Sequence, residues 1–364
     1  MTTARPVPRA ATPTDTRAFC ETMLPKVSRT FAICIRLLPS DLEHSVHVAY
    51  LLCRIADTIE DTAWLDPAAK SRLFEAFRDA LGAEGGDGGS LREAFADART
   101  DEEVLAREAS AVLGEFRGLP RRQRDAIRPW VQEMCDGMAE FAARGTTDRA
   151  DELDALGTVE DLDRYCYFVA GTVGHMLTEL FHTHTNGSEE TRRSLRNLST
   201  SFGLGLQLTN IIKDVADDRR RGWSFVPREL CGLAGIGPEQ LQDDRHRAEA
   251  QRVMLLLIEK AKGHLRDALE YTTRLPRGAY GIRLFCLSSL YFAVRTLRLA
   301  EADPQLLDPT HKVKITRGEV YRTLLATRLV APMNWSVRRY FRWLAGTAWS
   351  RRARLADAAP GNKV

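Results

Sequence analysis

Apolar positions recur along this chain at the three-and-four spacing that buries one face of an α-helix, while strict apolar–polar alternation is scarce. From about residue 15 onward this predicts helix after helix, the most apolar stretches falling at Val253–Ile258 and Leu284–Val294. The breaks coincide with helix-ending residues: Pro39, Pro67, Pro120, Gly145, Pro227, Pro238, Pro276 and Pro304. Gly82–Ser90 (GAEGGDGGS) reads as a loop, and Arg219–Pro227 (RRRGWSFVP) as a second. Residues 1–14, rich in Pro, Thr and Ala, are expected to be a disordered tail. No repeat of the solenoid kind is present, and no linker cuts the chain in two. The expectation is an all-α protein with a single helical domain over residues 15–330, followed at 331–364 by a basic amphipathic helix and tail.

Composition narrows the class. A chain of 364 residues that is 44% hydrophobic can bury a large core and still surround a deep pocket. No run approaches the roughly 18 apolar residues of a membrane span, and the N-terminus lacks the apolar stretch of a secretory signal. The seven cysteines form no CxxC pair, which suits reduced, buried thiols in a cytoplasmic protein. A net charge of +3 offers no argument for nucleic acid. A monomer is expected.

Two acidic clusters of one shape stand far apart: DTIED, with Asp57, Glu60 and Asp61, and DVADD, with Asp214, Asp217 and Asp218. In a helix these positions are i, i+3 and i+4 and leave from one face. Between Val48 and Ile59 the only charged residues are Arg54 and Asp57. Around the second cluster, Gln207, Asn210, Asp214, Asp217 and Asp218 span an arc of about 100° on an otherwise apolar helix. A single such cluster reads as a solvated helix face. Two in apolar settings point inward, where like charges repel unless a cation joins them. Mg²⁺ takes one or two carboxylates together with substrate phosphates, so two opposed acidic helices can hold a diphosphate through metal.

With these clusters in view, the chain resembles the squalene/phytoene synthase family, its squalene synthase branch most. SRTFAICIRLLP at Ser28–Pro39, YLLCRIADTIED at Tyr50–Asp61, YCYFVAGTVG at Tyr165–Gly174, LQLTNIIKDVADD at Leu206–Asp218, FCLSSLYFAV from Phe285 and KVKITRGE from Lys312 resemble its motifs in order. DxxDD stands where squalene synthases often carry DxxED, which keeps a carboxylate. The resemblance covers residues 25–330. It implies the isoprenoid synthase fold, helices around a central hydrophobic cavity with both aspartate motifs at one end. It also implies a Mg²⁺-dependent, head-to-head condensation of two farnesyl diphosphates to presqualene diphosphate, then NADPH-dependent reduction to squalene.

On this basis Asp57, Asp61, Asp214 and Asp218 are candidate Mg²⁺ ligands, with Glu60 and Asp217 as ligands or their hydrogen-bonding partners and Asn210 as a further contact. Ser28, Arg29, Arg54 and Lys213 resemble the family's diphosphate-contacting positions, with Phe31 of the same opening motif and Gln207 also at the substrate; arginine suits phosphate bidentately. Tyr165 is the implied proton acceptor in cyclopropane formation, although on spacing alone such a residue is more often a core tyrosine with its hydroxyl satisfied. Ala170, Gly174 and Gly203 either allow close helix packing or leave room for a prenyl chain. Nicotinamide binding has no glycine fingerprint here. The resemblance instead directs Lys312, Lys314, Arg317 and Arg221 toward the nucleotide phosphates; Lys312–Arg317 alone is a basic turn before a helix.

Other signals carry less. Glu179 and His182 form half of a di-iron motif without its partners, and Asp243–Arg247 is a solvated charge run. From Trp335 to Arg354 the chain holds six arginines and no acid, and Val337, Tyr340, Phe341, Leu344 and Ala348 share one helical face. Packing of that face on the body is the default reading, and attachment to anionic membrane the alternative. The rival readings are a phytoene or dehydrosqualene synthase without reductant, a presqualene diphosphate synthase, and a non-catalytic protein that binds prenyl diphosphates or membrane.

Overall fold

The computed structural model describes residues 13–82, 86–144 and 153–356. All but the last two residues of the expected N-terminal tail lie outside that range, as do Gly145, the centre of the Gly82–Ser90 loop, and residues 357–364. Helices dominate. The N-terminal half contains α1 (Pro13–Val27), α2 (Arg29–Ile35), α3 (Ser40–Asp61), α4 (Pro67–Ala80), α5 (Gly89–Ala94), α6 (Asp101–Arg107), α7 (Ala109–Gly118) and α8 (Arg121–Arg144). Next, α9 (Val159–Cys166) passes through a π-helical turn, Tyr167–Gly171, into α10 (Thr172–Thr185). The remainder is α11 (Glu189–Arg220), α12 (Arg228–Leu233), α13 (Arg247–Arg274), α14 (Tyr280–Ala302), α15 (Arg317–Val330) and α16 (Asn334–Ala356).

The prolines act as the sequence suggests: Pro39 and Pro227 stand at the N-caps of α3 and α12, and Pro67 opens α4 behind the capping carboxylate of Asp66. Pro25 and Pro129, in contrast, are absorbed inside α1 and α8. One feature escapes helical periodicity altogether. β1 (Asp154–Ala155) and β2 (Trp223–Ser224) pair in parallel, Asp154 opposite Trp223, and tie the segment before α9 to the loop after α11.

Helix α11, 32 residues and about 48 Å long, is the spine. Ser188 caps it by accepting from Thr191 N at 3.2 Å, and it packs along α10, α13 and α14. One apolar core gathers α1 to α8 and α10 around Phe74, Phe77 and Phe116. A second gathers α11, α13, α14 and α16 around Leu257, Leu287 and Tyr291. All seven cysteines are free and buried. Arg283, fully buried, donates to three main-chain carbonyls (Ala331, Thr272, Leu275) and to Asn334 Oδ1 at 2.8–3.1 Å, so its donors are satisfied and the α15–α16 turn is pinned to α13.

The C-terminal helix departs from expectation in one way and follows the packing reading in another. Gly346 adopts φ 75°, a left-handed value open to glycine, so the expected continuous helix is divided there. And the apolar face of Val337, Phe341 and Leu344 is buried against α13 and α14, with Tyr340 half-buried. The face read as a candidate membrane surface is therefore consumed by packing. No described helix is long and apolar enough to cross a membrane.

Candidate active site

A cavity of about 590 Å³ opens between the two cores, within the range of ligand pockets. Its depth is apolar, with Phe31, Val173, Leu177, Phe202, Tyr271 and Phe285 among the lining side chains. Its mouth carries Arg54, Asp57, Glu60 and Asp61 from α3, and Gln207, Asn210, Lys213, Asp214 and Asp218 from α11, with Arg221 beyond. The two acidic clusters, about 150 residues apart in sequence, thus face one space. Arg221 Nη1 lies 3.7 Å from Asp61 Oδ1, linking the end of α11 to the end of α3.

Burial shapes this mouth. Asp57 is pushed up to about 6 by desolvation and by Asp61, against the pull of Arg54. Asp218 is pushed up to about 7 by desolvation and then by Asp214, with Asp61 adding to it. Glu60 is raised well above the carboxylate range by burial and its two acidic neighbours. Five carboxylates line the cavity against three cations, Arg54, Lys213 and Arg221. Arg54 meets Asp57 at 3.5 Å and Glu102 at 3.3 Å, but its Nε is buried without a partner. An unmatched guanidinium donor beside surplus carboxylates suits an anion that arrives with cations. Among the described residues no three acidic, histidine or cysteine side chains form a ready-made metal cage. That donor set fits Mg²⁺, which takes few protein carboxylates and completes its octahedron from phosphate and water.

Tyr165 is buried in the same wall, its hydroxyl donating to Glu60 Oε2 at 3.3 Å. Its ring stacks on Phe225 at 4.6 Å and meets Phe141 edge-on at 5.4 Å. Burial and the nearby Glu60, Asp61 and Asp57 hold the phenol well above its ordinary pKa, so in this state it is a hydrogen-bond donor. The π-helical turn begins two residues later, where Thr172 N bonds back to Tyr167 O; such turns widen a helix and often mark functional sites.

The glycine question resolves toward packing. A Cβ on Gly203 would sit 2.2 Å from Ala170 O, and one on Gly174 would sit 2.1 Å from Ser199 O. Helix α11 and the π–α10 segment cross in backbone contact there, and Ala170, Gly174 and Gly203 line the cavity as a consequence.

Several sequence candidates lie elsewhere. Asp217 does not line the cavity: its Oδ2 accepts from Lys312 at 2.6 Å, and Arg220 takes its other oxygen. These partners, Lys312 first, hold it below the usual aspartate range. Ser28 caps α2, accepting from Phe31 N at 3.2 Å, and Arg29 beside it is exposed. Neither lines the cavity, whereas Phe31 does. Lys312 reaches the acidic end of α11, but Lys314 and Arg317 are exposed and outside the cavity. Glu179, of the discounted half-motif, is spoken for by Arg192 at 2.9 Å. Sequence reasoning missed Tyr50, Phe225 and Ser289 as lining residues and Glu102 as the second partner of Arg54. Phe225 could have been found, since it follows the second cluster in a loop too aromatic for mere solvent exposure.

The sequence matches the Squalene/phytoene synthase family over residues 24–319. The chain belongs to that family. Within it, the squalene synthase of Eremothecium gossypii is 31% identical over 85% of this chain and 67% of its own length. Among solved structures, TcSQS in complex with the ligand E5700 superimposes with a TM-score of 0.73 at 24% identity, covering 93% of this chain and 99% of that one. A dehydrosqualene synthase in complex with ligand gives 0.62 at 20% identity, covering 87% and 96%. The architecture is accordingly the isoprenoid synthase fold, and the chain is an enzyme of the prenyltransferase class.

Proposed function

We propose that this cavity condenses two farnesyl diphosphates head-to-head to presqualene diphosphate, which is then rearranged and reduced by NADPH to squalene. The observation that carries the reading is the convergence of both acidic clusters, with Tyr165 between apolar depth and charged mouth, on one cavity. Asp57 and Asp61 from α3, and Asp214 and Asp218 from α11, would hold Mg²⁺, with Asn210 at the rim. When bound, Mg²⁺ neutralises the diphosphate and makes it a better leaving group. Arg54, with its free Nε, and Lys213 and Arg221 orient the same anion. The apolar depth takes the prenyl chains, each buried CH₂ contributing about 0.8 kcal/mol. It also keeps water from the allylic cation.

As the cyclopropane ring closes, the Tyr165 oxygen would take the proton lost from carbon while its own hydroxyl proton passes to the released diphosphate. A phenol held high by burial and carboxylates is a poor base at rest, so cations brought in with the diphosphate must lower it. Glu60, hydrogen-bonded to its hydroxyl, fixes the orientation of that oxygen. For the reductant, Lys314 and Arg317 are exposed and free of carboxylate partners among the described residues, while Lys312 is paired with Asp217. This basic segment fits the phosphates of NADPH in charge.

Incubation with farnesyl diphosphate and Mg²⁺, with and without NADPH, followed by product mass, tests the reading. Squalene is expected only with NADPH. The same hydrocarbon either way removes the reductive half and leaves a dehydrosqualene-type synthase. Presqualene diphosphate as the sole product places the stop one step earlier, and no turnover leaves a binding protein.

A further inference from the structure

The outer face of the α15–α16 hairpin is built unlike the rest of the surface. Six of the ten large exposed apolar side chains among the described residues fall within the 23 residues 321–343. Tyr321, Leu325, Leu329, Trp335 and Trp343 are each between 62% and 71% exposed. On α15 the first three follow at i, i+4 and i+8, an arc of about 80°. On α16, Trp335, Arg339, Arg342 and Trp343 share an arc of about 100° on the side opposite the buried Val337 and Phe341. Tyr340 bonds Thr323 of α15 through its hydroxyl and stacks on Trp343 of α16 at 5.5 Å.

Charge completes the picture. Arg317, Arg322, Arg328, Arg339 and Arg342 are exposed, and none has a carboxylate partner among the described residues. Glu319 is the sole acid between residues 309 and 356. It is already held by Arg295 at 2.6 Å and by the cap of α15. An apolar stripe of this size, rimmed only by arginine and bearing tryptophan and tyrosine, is costly in water. Leucine entering hydrocarbon, aromatic rings at the headgroup level and arginines on lipid phosphate match it group for group. We propose that this face docks the enzyme onto an anionic phospholipid bilayer. The surface is distinct from the buried face of α16 that the sequence pattern suggested. Arg283 and Asn334 fix the turn between the helices, so it is presented as a rigid unit. The inference stands on this face alone and does not depend on the chemistry assigned to the cavity.

Sedimentation of the full chain with vesicles tests it. Binding is expected to phosphatidylcholine vesicles containing phosphatidylglycerol, to be weak on phosphatidylcholine alone, and to fall as salt rises. Leu325→Glu with Leu329→Glu should weaken binding on the order of tenfold or more. Arg322→Gln with Arg339→Gln, which cannot disturb the core, should weaken it roughly fivefold per arginine. Farnesyl diphosphate turnover in vesicle-free buffer and the helical circular dichroism should stay at wild-type levels in both. Wild-type protein that ignores anionic vesicles overturns the proposal, as does unchanged binding by both variants. So does a wild-type dimer that fails to bind vesicles and that the leucine pair converts to monomer, which would assign the face to a second copy.

Discussion

Gly203→Ala adds one methyl group where α11 crosses the π-helical turn. The new Cβ would lie 2.2 Å from Ala170 O, 2.5 Å from Ala170 C and 2.9 Å from Gly171 N. All three are main-chain atoms, so no side chain can rotate away. Ordinary contact begins near 3.4 Å, and the crossing must therefore open by about 1 Å. Overpacking of this kind costs about 1–3 kcal/mol, while alanine in place of a helical glycine returns about 0.5–1 kcal/mol. A net loss of about 1 kcal/mol is expected, read as a lower urea midpoint at unchanged slope. The displaced turn carries Val169 and Ala170 and continues α9, which bears Tyr165. A 1 Å misplacement at a reacting group costs on the order of 10²-fold, so turnover should fall by about that factor. Gly114→Ala is the control: it sits on the exposed face of α7 with nothing inside 4 Å of the added atom, and should stabilise by about 0.5–1 kcal/mol. If Gly203→Ala matches wild type in both midpoint and turnover, the backbone crossing does not hold the cavity wall, and the reasoning fails.

Asp57→Asn or Asp214→Asn should abolish squalene formation while leaving the helical circular dichroism intact; an active variant would remove that carboxylate from the metal assignment. Tyr165→Phe should lose about 10²–10⁴-fold in turnover with little change in substrate binding, whereas Glu60→Gln, which can still accept from the Tyr165 hydroxyl, should keep turnover within roughly tenfold of wild type. Calorimetric titration and rapid-quench turnover separate these cases, and equal losses from both would make Glu60 a metal ligand. Asp218, held at about 7 in the fold against an ordinary value near 4, binds a proton in the native state that the unfolded chain has released. Its contribution therefore favours folding at low pH and is lost as pH rises from about 4 through 7. Thermal melts of metal-free protein should show that decline flattened in Asp218→Asn, and added Mg²⁺ should stabilise wild type more at pH 8 than at pH 6, because metal needs the bare carboxylate. An identical pH profile in the variant would exclude the titration.

What could be read from the sequence was whatever a helix repeats every turn. Asp57 and Asp61, or Gln207, Asn210, Asp214 and Asp218, stand on one face whatever the tertiary structure, and apolar neighbours said that the face was inward. Asp217 shows where this fails. It stands at the angular edge of the stripe, beyond Asn210, and Lys312 from 95 residues away takes it. Arg54 was legible as buried, but its second partner, Glu102 on α6, depends on how α6 packs on α3. The amphipathic face of α16 was drawn correctly, but of its two readings, packing on the body and membrane attachment, only the tertiary structure selects packing, since periodicity says that a face is apolar and not what covers it.

The π-helical turn was the least legible element and has a definite consequence. An α-helix from Val159 to Thr185 would rotate 100° per residue, carrying Tyr165 and Gly174 to faces about 180° apart, modulo full turns. Both line the cavity nonetheless. The widened turn at Tyr167–Gly171 takes up part of that rotation. Gly174 and Gly203 let α11 approach closely enough for both residues to meet one space. Local propensity opposes each of these choices: π turns are rare, and glycine weakens helices. Their cost is sustained because the same backbone contact that seats α11 against α10 also brings Tyr165 to the cavity that the carboxylates of α3 and α11 line.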